Sequence, residues 1–357
     1  MARLAMCGWE SGLAGEIGIP YKFANSGDES IQTSARNGSY CWCSTLYAGG
    51  NAGAGAAGQR IIVLPSAPNE IYVRCGIGYF TPSYTGNAPM AFNFLECADG
   101  STPQIGLGYA VANPMSIRVY RGTTEIASGG ALPTSGWKCL EARFVIHPTT
   151  GVVQVWLDGV LVINFTGNTR SSSANQITAL AVGLRKIING ATGGAVTDYM
   201  QFDDLAVNDT TGARNAGQIG QGGIVALRPT ADTADADFTP SSGSDHYALV
   251  DETQADGDTT YLSAVNSGDR DIFELANPAT GAVDALMAVC VTRVASGAGR
   301  GLAPTLRSGA TTAVGSVGYA TNTYTAQTQL WESDPNTSAA WTATALNSLQ
   351  IGITLTN

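Results

Sequence analysis

The groups in this 357-residue chain that could do chemistry are few and scattered. The densest set of oxygen donors is "FDDLAVND", with Asp203, Asp204, Asn208 and Asp209; a second acidic set holds Asp251, Glu252, Asp256 and Asp258. Calcium takes carboxylates and carbonyls presented on loops, which makes Asp203, Asp204 and Asp209 the calcium candidates. Neither set has the EF-hand spacing. The competing reading is of solvated turn acids and an Asp capping a strand bend. A glycosidase needs two carboxylates flanking the scissile bond. Asp203 and Asp204 are neighbours on a strand and point to opposite faces, while Glu70, Glu96 and Glu141 stand alone among apolar residues. The two histidines, His147 and His246, lie outside any metal or nucleophile-elbow pattern, and GxSxG is absent. No hydrolase triad can start from these residues. The clustered glycines of "GQIGQGGI" (217–224) are followed by no helix signal, which argues against a phosphate cradle. The expectation is therefore no catalytic residue, no enzyme, and no cofactor except calcium.

The elements that would position such residues are strands. Charged residues make up only 13% of the chain and Gly is abundant at 44 residues, a composition of small residues with Val, Ile, Tyr and Trp between turns. The formal charge is −10 and no Lys/Arg cluster exists, so nucleic acid is disfavoured as a partner. No run reaches the roughly 18 apolar residues of a membrane span, and the N-terminus reads as a mature strand instead of a signal peptide. Seven cysteines in no metal spacing read as buried thiols of a cytosol-made protein.

Strand-like runs recur every 8–15 residues, from "SYCWCSTLYA" (39–48) through "GWKCLEARFVIHP" (136–148) to "TDYMQFDDLAVND" (197–209). Such spacing, with Gly, Pro, Asn or Asp between runs, is that of a sandwich or jelly roll. Residues 48–58, a Gly/Ala tract, read as a surface loop. "VVQVWLDGVLVINF" (152–165) is a hairpin turning on Asp158-Gly159. A plain two-residue turn pairs Val155 with Val162 and Gln154 with Ile163. One face then holds Val153, Val155, Leu157, Val160, Val162 and Asn164, and the other holds Val152, Trp156, Leu161, Ile163 and Phe165. Neither face is polar, although an outer sandwich strand should have a polar face. Trp156, Leu161, Ile163 and Phe165 are accordingly the interface candidates, covered either by loops of the chain or by a second subunit. The composition shifts after about residue 225, into an acidic stretch that reads as a connector. The fold class is all-β: a jelly-roll sandwich over 1–230, then a smaller β-sandwich domain over 231–357 with one short helix in 341–349.

Residues 136–225 resemble the concanavalin A-like lectin/laminin-G sandwich, through "GWKCLEARFVIHPTTGVVQVWLDGVLVINFTGNT", "ALAVGL" and "YMQFDDLAVNDTTG". The chain also resembles tailed-bacteriophage virion proteins that carry this sandwich. The resembling pieces are "GWESG", the turn from Leu227 to Asp232, "GDRDIFEL" (268–275) and "LWESDPNTSAAWTATALNSLQIGI" (330–353). This resemblance implies a virion-located, non-enzymatic structural component, a capsid decoration (cement) or tail-associated protein. It would bind major capsid or tail proteins as a homo-oligomer, taken as a trimer, with no nucleic acid and no membrane. The alternative is a carbohydrate-binding module displayed on the virion, with Tyr40, Trp42, Tyr79, Tyr84 and Tyr109 as its candidate aromatics; core packing competes for each.

Overall fold

Alternation predicts strands, and strands dominate the fold. The computed structural model describes residues 2–22, 27–48, 57–84, 90–110, 113–188, 196–276, 281–295 and 299–357. Residues 49–56 of the Gly/Ala tract lie outside the described residues. The chain divides into two compact units, one of Met1–Trp9 with Ile17–Ile224, the other of Glu10–Glu16 with Val225–Asn357. The boundary after Ile224 lies close to the expected one, but the short segment 10–16 goes with the second unit.

The first unit is a sandwich of two antiparallel sheets. The first sheet runs β13 (Val160–Gly167), β12 (Gly151–Leu157), β11 (Trp137–Val145), β6 (Glu70–Tyr84), β15 (Val196–Asn208), β4 (Cys41–Ala48) and β3 (Gly27–Gln32). A short β1 (Arg3–Cys7) also pairs with β15. The second sheet runs β10 (Thr124–Ala131), β9 (Asn113–Arg121), β8 (Thr102–Ala110), β7 (Ala91–Asp99), β14 (Ala179–Ile188), β5 (Ala57–Val63) and β2 (Ile19–Lys22). Neighbours such as β6 and β15 are far apart in sequence, the jelly-roll crossing pattern.

Alternate residues of each central strand are buried. Ile71, Val73, Cys75 and Ile77 of β6 align with Leu140, Ala142 and Phe144 of β11, and with Val153, Val155 and Leu157 of β12. The second sheet contributes Phe92, Leu95, Leu107, Tyr109, Leu180 and Val182. Each fully buried side chain of this size contributes roughly 1.5–3 kcal/mol. Two aromatic clusters stiffen the core: Trp9, Trp42 and Phe202 at centroid distances of 5.7 and 5.4 Å, and Phe80, Tyr109 and Phe92 at 4.6 and 5.0 Å. Trp42 and Tyr109, two of the candidate sugar aromatics, are thereby core residues. Glycine lets the sheets meet at both margins: a Cβ at Gly129 would lie 2.3 Å from the Val162 carbonyl oxygen, and one at Gly27 would lie 2.2 Å from that of Ala57. Burial pushes the thiols of Cys43, Cys75, Cys97 and Cys139 up, which leaves them poor nucleophiles.

The Asp158-Gly159 turn forms with both residues at positive φ, 49° and 80°, the type I′ geometry that matches strand twist. Asp158 also accepts the Cys139 N–H at 2.9 Å, locking the turn to β11. The pairing beyond the turn corrects the expected register. Trp156 faces Leu161, but Val155 faces Ile163 and Gln154 faces Asn164, because Val162 is an extra residue in a β-bulge. One inserted residue turns everything after it to the other face. Ile163 therefore enters the core at 4% exposure and Phe165 follows it inward opposite Val153, while Asn164 emerges beside Gln154. Of the four interface candidates, only Trp156 and Leu161 stay on the outer face.

In the second unit, β16 (Pro229–Ala236), β19 (Arg270–Leu275), β25 (Gln350–Leu355), β21 (Gly301–Ser308) and β22 (Thr311–Val314) form the main sheet, with β23 (Gly318–Tyr319) also on β21. Two small pairs accompany it, β17 (Thr239–Pro240) with β18 (Leu262–Ser263), and β20 (Leu286–Thr292) with β24 (Thr325–Trp331). Leu306, Trp341, Leu346 and Leu349 make its core, closed by α1 (Ala343–Asn347), whose N-cap Thr342 accepts the Ala345 N–H. The acidic stretch expected as a connector instead supplies β16. Its acids bind specifically: Asp235 pairs with Arg270 and Arg307, and Asp232 accepts the N–H groups of His246 and Tyr247. Small residues between these acids hide the strand from an apolar-alternation reading.

The bulge makes opposite demands on two residues that a plain hairpin would place together. Ile163→Ala should cost about 2–4 kcal/mol of unfolding free energy in denaturant, and Leu161→Ala under about 1 kcal/mol. Equal costs would contradict the bulged register.

Candidate functional site

Because the inner face of β6, β11 and β12 is committed to the core, the polar residues between their buried ones point outward. Register aligns them across the sheet. Asn164, Gln154, Arg143, Tyr72, Asn208 and Arg3 are consecutive partners on β13, β12, β11, β6, β15 and β1. The row is bonded within itself. Gln154 donates to Asn164 Oδ1 at 3.2 Å, Arg143 donates to Gln154 Oε1 at 3.1 Å and to Glu70 Oε1 at 2.8 Å, and Arg3 donates to Asn208 Oδ1 at 2.6 Å. The Arg143 guanidinium stands 5.7 Å from the Tyr72 ring centroid. Asn164 is exposed and Gln154, Arg143 and Tyr72 half-buried, whereas Asn208 and Arg3 are buried. Burial, then the neighbouring Glu70, pushes the Tyr72 phenol up, so it holds its proton.

The next row along the sheet is Leu161, Trp156, Glu141 and Arg74. Here the glycine-rich residues 217–224 cross the face. Glu141 accepts the Ile219 and Gly220 N–H groups at 2.5 and 3.0 Å and the Gln218 side-chain amide at 3.0 Å. A Cβ on Gly222 would meet the Arg74 guanidinium at 2.7 Å. The strap thus covers Glu141 and Arg74, while Leu161 of the hairpin stays 44% exposed. Farther along, Trp137 lies over Gly78, donates its indole N–H to the Ser34 carbonyl at 3.0 Å and meets Tyr79 edge-on at 6.0 Å. Tyr79 is 38% exposed, Tyr40 is half-buried, and the Tyr84 side chain lies outside the described residues.

The calcium candidates have other partners. A second bulge in β15 carries Asp204 at φ 54°, which turns both adjacent carboxylates toward residues 36 and 37. Asp203 accepts the Arg36, Asn37 and Asp204 N–H groups at 2.8, 3.1 and 2.7 Å. Asp204 takes the Arg36 guanidinium, the Asn37 amide and the Ile224 N–H at 2.5 to 2.6 Å. Asp209 caps its own turn through Thr211 at 2.8 Å. Among the described residues no group of three or more His, Cys, Asp or Glu side chains is placed to hold a metal ion. The expectation that neighbouring strand acids diverge fails here because the bulge breaks the pleat.

The outward row was not singled out from the sequence. Its signal was present as one polar residue at the outward position of each apolar strand: Arg143 in "LEARFV", Gln154 in "VVQVW". Asn164 was misassigned because the bulge is invisible in the hairpin pattern. Inside the sandwich, Asp198 is fully buried and accepts Ser83 N–H at 3.0 Å and the Tyr109 hydroxyl. Burial pushes its carboxyl up to about 6, and these two bonds only partly oppose that.

No family model matches the chain, and no curated protein matches it. Several of the solved structures it resembles are carbohydrate-active enzymes. An endo-β-1,4-glucuronan lyase from the fungus Trichoderma reesei is 14% identical, with a TM-score of 0.41, covering 56% of this chain and 94% of that one. An alginate lyase is 11% identical with a TM-score of 0.38, covering 58% and 97%. A β-glucanase catalytic domain from Podospora anserina is 8% identical with a TM-score of 0.36, covering 59% and 93%. These neighbours, two polysaccharide lyases and a glucanase, stand against the expectation of a non-enzymatic structural component. At such identity the likeness conveys the fold alone, so any activity has to be argued from this chain's residues.

The site electrostatics lead to two expected outcomes. Asp204→Ala should cost about 2–4 kcal/mol, since half-buried Arg36, the Asn37 amide and the Ile224 N–H all lose their carboxylate acceptor. In the intact protein, calcium or chelator should leave the thermal midpoint unmoved, and a rise with calcium would show that these carboxylates can be released to a metal. For Asp198, the folded-state value near 6 lies above the ordinary 3.8, so folding takes up a proton. The stability this brings is full below pH ~4 and lost as pH rises through ~6, about 3 kcal/mol in all. Unfolding measured from pH 4 to 8 should show such a slope in the wild type, and Asp198→Asn should remove its share while leaving that of Asp203, whose carboxyl is pushed up to about 7 by burial and by Asp204.

Proposed function

We propose that the chain is a carbohydrate-active protein that lays a polysaccharide across the outer face of its first sheet. The observation that carries this reading is the lateral row Asn164, Gln154, Arg143 and Tyr72. Four adjacent strands roughly 4.8 Å apart set these groups along roughly 15 Å, a span of several sugar rings. Amides and a phenol both donate and accept, as sugar hydroxyls do, and the guanidinium adds a charged donor. Trp156 in the next row supplies an apolar ring of the kind that stacks against sugar C–H faces.

The same face could support chemistry. Tyr72 holds its phenolic proton beside the Glu70 carboxylate, and Arg143 stands between them and the amides. A proton donor next to a fixed cation is the arrangement that stabilises charge developing on a bound substrate. Alginate, glucuronan and β-glucan form the test panel, read by calorimetric binding and by release of new chain ends. Wild type should bind at least one of them, and Arg143→Ala should weaken that binding about tenfold or more without lowering the thermal midpoint. Absence of both binding and cleavage across the panel would sink the reading.

A further inference from the structure

The strap 217–224 is held unevenly. At its start, Gly217 donates to the Asp209 carbonyl at 3.0 Å and accepts from the Asn208 amide at 3.1 Å. At its end, the Gly222 carbonyl accepts from Arg36 at 2.7 Å and the Ile224 N–H donates to Asp204 at 2.5 Å. Between these anchors the described hydrogen bonds all go to one carboxylate, that of Glu141. Gly217 and Gly220 sit at φ 119° and 76°, and a Cβ on either would touch nothing within 4 Å. The middle of the strap is therefore not laddered, and its other contacts are slight: Ile219 is half-buried and the Gln221 amide lies beside Gly159. It has anchored ends, glycine pivots and one set of described hydrogen bonds, those to Glu141. Beneath it lies the buried Arg74 guanidinium, in register with Glu141 and Trp156.

We propose that residues 218–221 form a lid on the outer face, latched by Glu141, whose opening extends the open surface from the Arg143 row to Glu141 and Arg74. Its use as a lid over polysaccharide rests on the function proposed above; its motion does not. A segment held mainly by hydrogen bonds to one side chain opens locally, well below the free energy of global unfolding. When the lid lifts, Glu141 loses three donors, with Arg74 its register partner on the neighbouring strand.

Amide hydrogen exchange on the full chain tests this without any glycan. The Ile219 and Gly220 amides should exchange at least about 100-fold faster than those of β11. Glu141→Gln should speed them about tenfold further while β11 is unchanged. Gln218→Ala, at an exposed position, removes one of the three donors while leaving Glu141 in place and should act in the same direction, which covers the case where Glu141→Gln fails to fold. Exchange of Ile219 and Gly220 as slow as that of the strands, or rates unmoved by either substitution, would make the strap a static wall and end the proposal. Lid exchange as expected, in a protein that binds no polysaccharide, would refute the functional reading and leave the lid standing.

Discussion

The pleat of the first sheet is the constraint from which the rest follows. Once Ile71, Val73, Leu140, Phe144, Val153 and Val155 commit one face to the core, every intervening side chain must point outward. A residue cannot be both in the strand and neutral about its face, because the side-chain period is two. Arg143, Gln154, Tyr72 and Glu141 are therefore displayed by the same burial that holds the sandwich together. The chemistry of the outer face is a by-product of core packing that the protein can use.

Two bulges modify that rule where it would have failed. Without Val162 as an extra residue, the end of the hairpin would expose Ile163 and bury Asn164, costing apolar burial and leaving an amide without water. The bulge in β15 does the reverse service for Asp203 and Asp204. It brings adjacent carboxylates to the same loop, where half-buried N–H groups and Arg36 satisfy them. In both places one residue out of register exchanges ladder hydrogen bonds for a better distribution of polar atoms.

The strap shows the same economy with polar groups. Glu141 sits on an apolar sheet beside Trp156 and would be costly there without partners, yet it meets three donors from residues 218–220. The strap's glycines allow the close approach and the positive φ angles that this requires. Between them, Glu141 and the strap leave the Arg143 row open and cover Glu141 and Arg74 of the next, a division on which the reading as a polysaccharide surface depends.

Much of the architecture was legible in the chain. Alternation in 140–147, the Asp158-Gly159 turn and the strand spacing identify an all-β sandwich, since period-two burial and turn chemistry are local properties. The outer position of Arg143 and Glu141 was also local information. The bulge at Val162 was not, because a plain and a bulged hairpin share the same residues and differ only in what the second sheet packs against. The convergence of Asp203, Asp204, Arg36 and Ile224 was equally hidden, as was the strand made by the acidic stretch 229–236, whose partners lie in β19 and β21. The sequence by itself determined which residues alternate and where the chain turns. Only the tertiary structure decided which polar groups meet, because that depends on register between strands far apart in the chain, and one residue of shift reverses the answer.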